Sequence, residues 1–451
     1  MSQRYHSSST GCGMTDADIR ANFQDLHPPL DRMQAAVEAD RCLFCFDAPC
    51  ITACPTAIDI PKFIHQISTG NLEGSAQTIL EANIMGGTCA RVCPTEELCE
   101  QACVRNTSED QPVKIGHLQR HAVDHLIDRV LDGAAPNPFV RGEPTGKTVA
   151  IVGAGPAGLS AAHRLAMAGH DVIVHDARPK AGGLNEYGLA AYKMVDDFAQ
   201  REIAFLMDVG GITFRFDSAL GRNITLDTLA ADHDAVFIGI GLGDTNHAAI
   251  PGRDLPGVQD AIAFIEALRR ADDPAAMRME GDVVVIGGGN TAIDAAVQAR
   301  RLGADSVTLA YRRGEGHMPA TDWEVDLART NDVAIRLWSR PTEFRGTDSV
   351  ESVTLERTEL KDGKLTGSGR TYSLPADHVM LAIGQTLADT GLDGLTLAAG
   401  KITVDEHFQT SRPGVYAGGD CIDRGVDLTV QAVEDGKQAA AAIHARLTGT
   451  A

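Results

Sequence analysis

Apolar positions along the chain fall into two regimes, one periodic as helices and one as short strands. From Pro29 to about Arg129 the spacing is helical. Ile60 to Ile67 and Ala76 to Ile84 each gather their apolar residues on one face, and Ile115 to Val130 is a longer amphipathic repeat. No alternating run interrupts this stretch, which predicts a small all-helical domain with cysteine-bearing loops between its helices. Residues 1–30 lack the period and read as a loosely draped arm. Asp132 to Gly146 then carries three prolines and three glycines, the composition of a linker.

Beyond the linker, short β-rich runs take over. Thr148 to Val152 leads into Gly153-Ala-Gly155-Pro-Ala-Gly158, followed by a helix to Ala168 and a second strand, Asp171 to His175. The arrangement returns later: a strand Val283 to Ile286, a turn Gly287-Gly288-Gly289-Asn290-Thr291-Ala292, a helix Ile293 to Leu302, and a strand Ser306 to Tyr311. Both are βαβ units with a glycine turn at the helix start, where backbone amides approach a pyrophosphate. Ala235 to Gly241 and Val379 to Gly384 are apolar strands that end in glycine, and Val415 to Asp420 runs through a loop to a helix from about Thr429.

The two turns differ in the residue that closes the second strand. Asp176 follows the first, a carboxylate suited to a ribose hydroxyl. Ala417-Gly418-Gly419-Asp420 and the helix N-terminus at Thr429 point to FAD there, the acid meeting the ribityl chain and the helix dipole facing the ring. After the second turn stand Arg312 and Arg313, whose guanidinium groups suit the 2′-phosphate of NADP. A solvated basic pair is the plainer reading.

Eight of the ten cysteines form two clusters: Cys42, Cys45, Cys50 and Cys54 before Pro55, and Cys89, Cys93 before Pro94, Cys99 and Cys103. Zinc favours paired CxxC units, often with histidine, whereas here one CxxC is joined by spacings of three and four. Thiolates at this density, followed by proline, suit iron–sulfur clusters. Cys12 and Cys421 stand apart, Cys12 reading as an exposed bystander. The predicted fold is an α-helical, ferredoxin-like iron–sulfur domain followed by two α/β Rossmann-like nucleotide-binding domains, the second inserted in the first. The expected boundaries are 1–132 for the two-cluster helical domain, 133–146 for the linker, 147–265 and 375–451 for the FAD-binding domain, and 266–374 for the NAD(P)-binding domain.

Composition narrows the function. A formal charge of −21 over 451 residues disfavours nucleic acid as a partner. No apolar run reaches membrane-spanning length and no signal-peptide core precedes the cysteines, so the chain reads as cytoplasmic. No Ser–His–Asp order or HExxH motif suggests hydrolysis.

The segments CLFCFDAPCITACPTAIDIPKFI (42–64), TCARVCPTEELCEQAC (88–103), GHLQRHA (116–122) and FIGIGLGDTNHAAIPG (237–252) closely resemble the N-terminal, electron-accepting half of dihydropyrimidine dehydrogenase. The wider family includes the small subunit of glutamate synthase. The resemblance runs from about Arg32 to the end, and the long form of the family continues into an FMN barrel that reduces pyrimidines. Since this chain stops at Ala451, the resemblance implies the separate NAD(P)-oxidising subunit of a two-subunit bacterial enzyme, with an FMN-containing catalytic partner holding the pyrimidine site.

The resemblance also implies crossed iron ligation. Cys42, Cys45, Cys50 and Cys103 would hold one 4Fe–4S cluster, and Cys54, Cys93, Cys99 and Gln119 the other, leaving Cys89 a neighbour. Carried over, Gly153, Gly155, Gly158, Asp176, Gly183, Leu184, Lys193, Gly419, Asp420 and Thr429 serve FAD, with Lys193 where the family has arginine. Gly288, Gly289, Asn290, Thr291, Arg312 and Arg313 serve NAD(P)H. Gly316-His317 stands where a further arginine is expected, and bacterial two-subunit relatives often use NAD. The implied reaction is reversible reduction of uracil or thymine. A glutamate synthase small subunit is the alternative within the class, and a redox-sensing scaffold the alternative outside catalysis.

Overall fold

In the computed structural model, residues 14–388 and 390–450 are described; Cys12 lies outside them. The described chain divides into two compact units, residues 25–189, 193–247 and 383–450 in one and residues 14–24, 190–192 and 248–382 in the other.

The larger unit begins with helices Arg32–Ala39, Pro49–Ala53, Ile60–Ser68, Leu72–Ala82, Gly86–Val92, Val104–Glu109 and Ile115–Leu131. The last is the spine of this part. Ile115, Leu118, Ala122, Val123, Leu126 and Ile127 bury one stripe of it, and Gln119 sits in the same stripe as a polar exception. Asp59 starts Ile60–Ser68, its carboxylate accepting the Lys62 N–H at 3.2 Å.

The same unit holds a parallel sheet ordered Val415–Ala417, Ala235–Ile238, Thr148–Val152, Asp171–His175 and Ile212–Arg215. Helices cover parallel sheets on both faces, so these strands read as unbroken apolar runs; every residue of Ala235–Ile238 is buried. The C-terminal helix Thr429–Thr448 packs on the helix Pro156–Met167 so closely that a Cβ at Gly436 would lie 2.1 Å from the Ala157 carbonyl oxygen.

The smaller unit has a second parallel sheet, ordered Val258–Asp260, His378–Ala382, Asp282–Gly287, Ser306–Ala310 and Val333–Arg336. Two of its strands lie beyond the 266–374 span expected from sequence. Residues 258–260 and 378–382 pair within this sheet, His378–Ala382 lying between Val258–Asp260 and Asp282–Gly287, and so do not belong with the first. Strand pairing places them here, and a lone apolar run carries no mark of its sheet.

Two features were not expected. Residues 14–30 are not simply a draped arm: Thr15 and Asp18 form a capping box that starts the helix Asp16–Asn22. Ion pairs Arg20–Asp273 and Arg278–Asp16, at 2.6 Å each, tie that helix within the smaller unit. Strands Ser339–Arg345, Ser352–Lys361 and Lys364–Pro375 form an antiparallel sheet. Its hairpin turns at Asp362-Gly363, both at positive φ, as a tight two-residue connection requires.

Candidate functional site

The first glycine turn lies between Thr148–Val152 and Pro156–Met167 and is built by close approach. A Cβ at Gly158 would lie 1.9 Å from the Gly153 carbonyl oxygen, and one at Gly153 2.3 Å from that of Gly239. Gly155 caps the helix with Pro156 at its first position. Gly183, at φ +55°, packs against Gly155 so that a Cβ would meet the Gly155 Cα at 2.8 Å. Gly419 abuts Ala157 at the same helix start. The fold thus gathers these glycines into one cradle.

Asp176 closes the neighbouring strand. Its two oxygens accept the Ala154 and Arg178 N–H groups, each at 2.7 Å, which fixes the carboxylate beside the turn. Burial raises its pKa against those two bonds. Asp420 is pushed up to about 6 by burial, with Asp427 adding to the rise. The Gly419 N–H donates to Asp435 at 2.9 Å.

Asn185 was missed from the sequence. It is 1% exposed, next to Leu184 on the helix Leu184–Tyr187, and its Oδ1 accepts the Thr429 hydroxyl at 3.1 Å. Its Nδ2 is buried without a hydrogen-bond partner among the described residues. Thr429 opens a helix of 20 residues that has no side-chain cap, leaving first-turn amides to be satisfied from outside. An orphaned donor, an uncapped helix end and a glycine cradle fit a flavin dinucleotide. Lys193 is buried at 8% exposure, and its charge helps hold His27 neutral, behind the larger effects of burial and His117.

The second turn is open where the first is tight. A Cβ at Gly288 would strike the Tyr311 ring at 2.4 Å, whereas Gly289, which caps the helix Asn290–Arg301, meets nothing within 4 Å. Asn290 Oδ1 accepts the Thr321 N–H at 3.2 Å, and Thr291 follows in the first turn. Parallel register sets Ile286 opposite Ala310, so Arg312 and Arg313 follow just beyond the turn. Among the described residues neither guanidinium has an ion-pair partner, while Arg312 and Arg313 both lend their backbone carbonyls, to Thr358 and Trp338. Free cations past a helix N-terminus fit a phosphate-bearing nucleotide.

Cys42, Cys45, Cys50 and Cys103 line one partly open hollow, together with Leu43, Ile60, Ile64 and Ile115. Cys103 is thereby placed with thiols some fifty residues earlier in the chain, not with its sequence neighbours. Burial pushes the Cys50 thiol up to about 12, and Cys42 is also raised by burial. Such thiols shed their protons when a metal takes their place. No three His, Cys, Asp or Glu side chains among the described residues converge as a single ion would need. A four-iron cube asks for wider spacing, one thiolate at each corner around a hollow.

The remaining thiols form a second group. Cys93 is raised by a hydrogen bond with Cys89, by burial, and by the charges of Cys89, Cys99 and Cys54; Cys99 is raised chiefly by burial. Cys54 Sγ lies 3.3 Å from the Thr56 hydroxyl. Gln119 Nε2 donates to the Gly86 carbonyl at 2.7 Å. A carbonyl can only accept, so the amide nitrogen occupies that side and Oε1 is left as the end able to meet iron. Cys89 is buried beside Cys93, close enough that spacing alone did not separate neighbour from ligand. Lys437, on the C-terminal helix, reaches the carbonyls of Ala82 and Thr56 at 3.1 and 3.4 Å, tying that helix to the loop after Cys54. Cys421 is buried, its thiol donating to the Gly418 carbonyl at 3.3 Å, and no second thiol follows it in sequence.

A family model described as pyridine nucleotide-disulphide oxidoreductase matches residues 147–436, and one described as dihydropyrimidine dehydrogenase domain II, 4Fe–4S cluster, matches residues 19–130. The small chain of NADPH glutamate synthase from Escherichia coli K12 is 34% identical over 448 residues, 93% of each chain. The PreT subunit of NAD-dependent dihydropyrimidine dehydrogenase from the same organism is 34% identical over 427 residues, 95% of this chain and 98% of that one. Among solved structures, FprA of Mycobacterium tuberculosis with NADPH superposes at a TM-score of 0.57 with 19% identity, over 68% of this chain and 85% of that one. Thioredoxin reductase of T. acidophilum gives 0.54 with 22% identity, over 66% and 99%. These two share the fold.

FAD, NAD(P)H and 4Fe–4S clusters are accordingly the cofactors of this chain, and relatives named as subunits or small chains imply a partner. No helix among the described residues is long and apolar enough to cross a membrane. The chain belongs to the pyridine nucleotide-disulphide oxidoreductases, within the group that joins this fold to an N-terminal 4Fe–4S domain and includes glutamate synthase small chains and PreT subunits.

Proposed function

We propose that the chain is the electron-input subunit of a dihydropyrimidine dehydrogenase. It would oxidise NAD(P)H and hand electrons to a partner FMN subunit that reduces uracil or thymine to the 5,6-dihydro compound. The flavin supplies the change from hydride to single electrons, which iron–sulfur clusters alone cannot make. The residues contribute binding and placement. The second turn and Arg312 and Arg313 hold the nucleotide phosphates, and the cradle of Gly153, Gly155 and Gly183 admits a pyrophosphate. Asp176 and Asp420 orient the sugar chain, while Asn185 and the Thr429 helix start donate to the ring.

The observation that carries the reading is the four-thiol hollow of Cys42, Cys45, Cys50 and Cys103 within the compact unit that also holds the flavin cradle. Cys421 offers no second thiol, so iron rather than a disulphide is the natural exit for electrons. The domain roles follow: residues 25–132 for clusters, 147–247 and 383–450 for FAD, and 248–382 for NAD(P)H.

A second reading, the small chain of a glutamate synthase, is favoured by an identity as high as that of the PreT subunits. The segment 237–252 and Gln119 favour the first. The purified chain is to be mixed with a pyrimidine-binding FMN subunit or with a glutamate synthase large subunit, and NAD(P)H oxidation followed with uracil or with glutamine plus 2-oxoglutarate. Uracil-dependent oxidation with the FMN subunit supports the proposal; turnover only with the glutamate synthase subunit replaces it.

A further inference from the structure

Glu202 is fully buried on the helix Phe198–Met207 of the flavin domain, an unusual place for a carboxylate. Its partners lie in the cluster domain. Oε1 accepts the N–H groups of Gly87 and Thr88 at 2.8 and 3.0 Å, and Oε2 accepts the Thr88 hydroxyl at 2.5 Å. Gly87 and Thr88 open the helix Gly86–Val92, whose C-cap is Cys93. Only glycine fits at 87, since a Cβ would lie 2.4 Å from the Phe198 ring and 2.9 Å from Glu202 itself.

The same short helix is gripped a turn later. The Arg91 guanidinium lies 3.4 Å from the Phe198 ring centroid and binds both oxygens of Asp124 at 2.9 and 2.8 Å. Asp124 belongs to the helix that carries Gln119, whose amide in turn holds the Gly86 carbonyl.

We infer that Glu202 is a positioning residue for electron transfer: from the flavin domain it fixes the helix that ends at Cys93, and its charge sets how readily the cluster at that thiol accepts an electron. This rests on the cluster assignment proposed above. A negative charge near a cluster opposes the arriving electron, and hydrogen bonding and local charge are the protein's means of tuning such centres. Burial pushes Glu202 up to about 7 against the pull of its three hydrogen bonds and of Arg91. Arg91, from the helix Gly86–Val92, acts on it electrostatically, and the other helices packed against Phe198–Met207 carry Asp124 and Asp128 (Ile115–Leu131) and Glu186 (Leu184–Tyr187). Arg91 is committed to Asp124, Asp128 to Arg201, and Glu186 to Gln200 and Lys180.

The test uses the holoprotein with both clusters and flavin, comparing wild type with Glu202→Gln. Each cluster's reduction potential is read by an electron-paramagnetic-resonance titration at pH 6 and pH 8. In wild type one cluster's potential should fall between the two, as Glu202 ionises. In Glu202→Gln that cluster should be higher at pH 8 and insensitive to pH in this window, with the other cluster unchanged. Flavin reduction by NAD(P)H should keep its rate, while the following electron step to iron changes. A fully loaded Glu202→Gln with both potentials and both pH profiles unchanged overturns the inference.

If Glu202→Gln does not accumulate, Thr88→Val serves. Losing one donor to the carboxylate should move the pH dependence upward, and an unmoved curve counts equally against the role. Wild type that binds no iron would instead defeat the cluster assignment, whatever Glu202 does.

Discussion

Replacing Arg312 and Arg313 together with alanine should change nucleotide choice without harming nucleotide binding as such. NADPH differs from NADH only by its 2′-phosphate, and in the proposed site the pyrophosphate common to both would meet the helix start Gly289–Asn290 at the second glycine turn. Among the described residues neither arginine is engaged in an ion pair, so removing them orphans no carboxylate there. A hydrogen bond to a charged group contributes about 1.5 kcal/mol at the low end, the value suited to a solvent-facing site. Two such contacts give about 3 kcal/mol, or a loss of roughly 100-fold. The readout is the ratio of kcat/KM for NADPH to that for NADH, measured by dye reduction with the isolated chain. The double variant should lower this ratio by about two orders of magnitude, whichever nucleotide wild type prefers, with the NADH value within a few-fold. An unchanged ratio would show that the arginines are a solvated basic pair, and an equal loss for both nucleotides would show that they hold a group the two share.

Gly158→Ala should cost roughly 3 kcal/mol and most of the flavin, since its methyl has no room beside the Gly153 carbonyl; thermal melting and flavin content check this. Cys103→Ser should damage the cluster whose other thiols are Cys42, Cys45 and Cys50, whereas Cys89→Ser should leave the iron content unchanged; the reverse pattern in iron analysis refutes the crossed arrangement. Gln119→Leu should alter one cluster's spectrum or potential and not the other's, because an amide oxygen is a neutral ligand where the others are thiolates. Asp420→Asn should stabilise the flavin-free protein at neutral pH. The folded carboxyl titrates near 6, above its ordinary value, so the folded state binds the proton more tightly and wild type loses stability as pH rises through that window. The gain should approach about 3 kcal/mol at pH 7 and vanish below about pH 4, as read from melts across pH; a gain independent of pH would mean that charge is not the cause.

The glycine turns and their helices were legible because their signals are local. Thr148–Val152 and Asp171–His175 fall where the apolar runs place them, and Gly158 sits where helix and strand must touch. The cysteine spacings were legible for the same reason. Two local signals went unread: the Thr15-to-Asp18 capping box and the Asp362-Gly363 hairpin turn between alternating strands. The sheet to which Val258–Asp260 and His378–Ala382 belong was not readable in this way. Val258–Asp260 is three residues long, and only its register against His378–Ala382 assigns it. Asn185, Glu202 and Lys437 were invisible for a related reason. Their roles come from partners that lie 244, 115 and 355 residues away along the chain. A buried carboxylate in an apolar helix face, as in Phe198–Met207, was the one hint the sequence offered.

On this reading one chain takes hydride in and gives single electrons out. The decisive experiment is anaerobic addition of NAD(P)H to the purified, fully loaded chain while absorbance and electron paramagnetic resonance are followed together. The chain should carry about eight irons as two 4Fe–4S clusters, lose its flavin absorbance, and then show a reduced-cluster signal without any partner or pyrimidine present. Flavin that is reduced while loaded clusters stay oxidised, even after excess nucleotide, would contradict it.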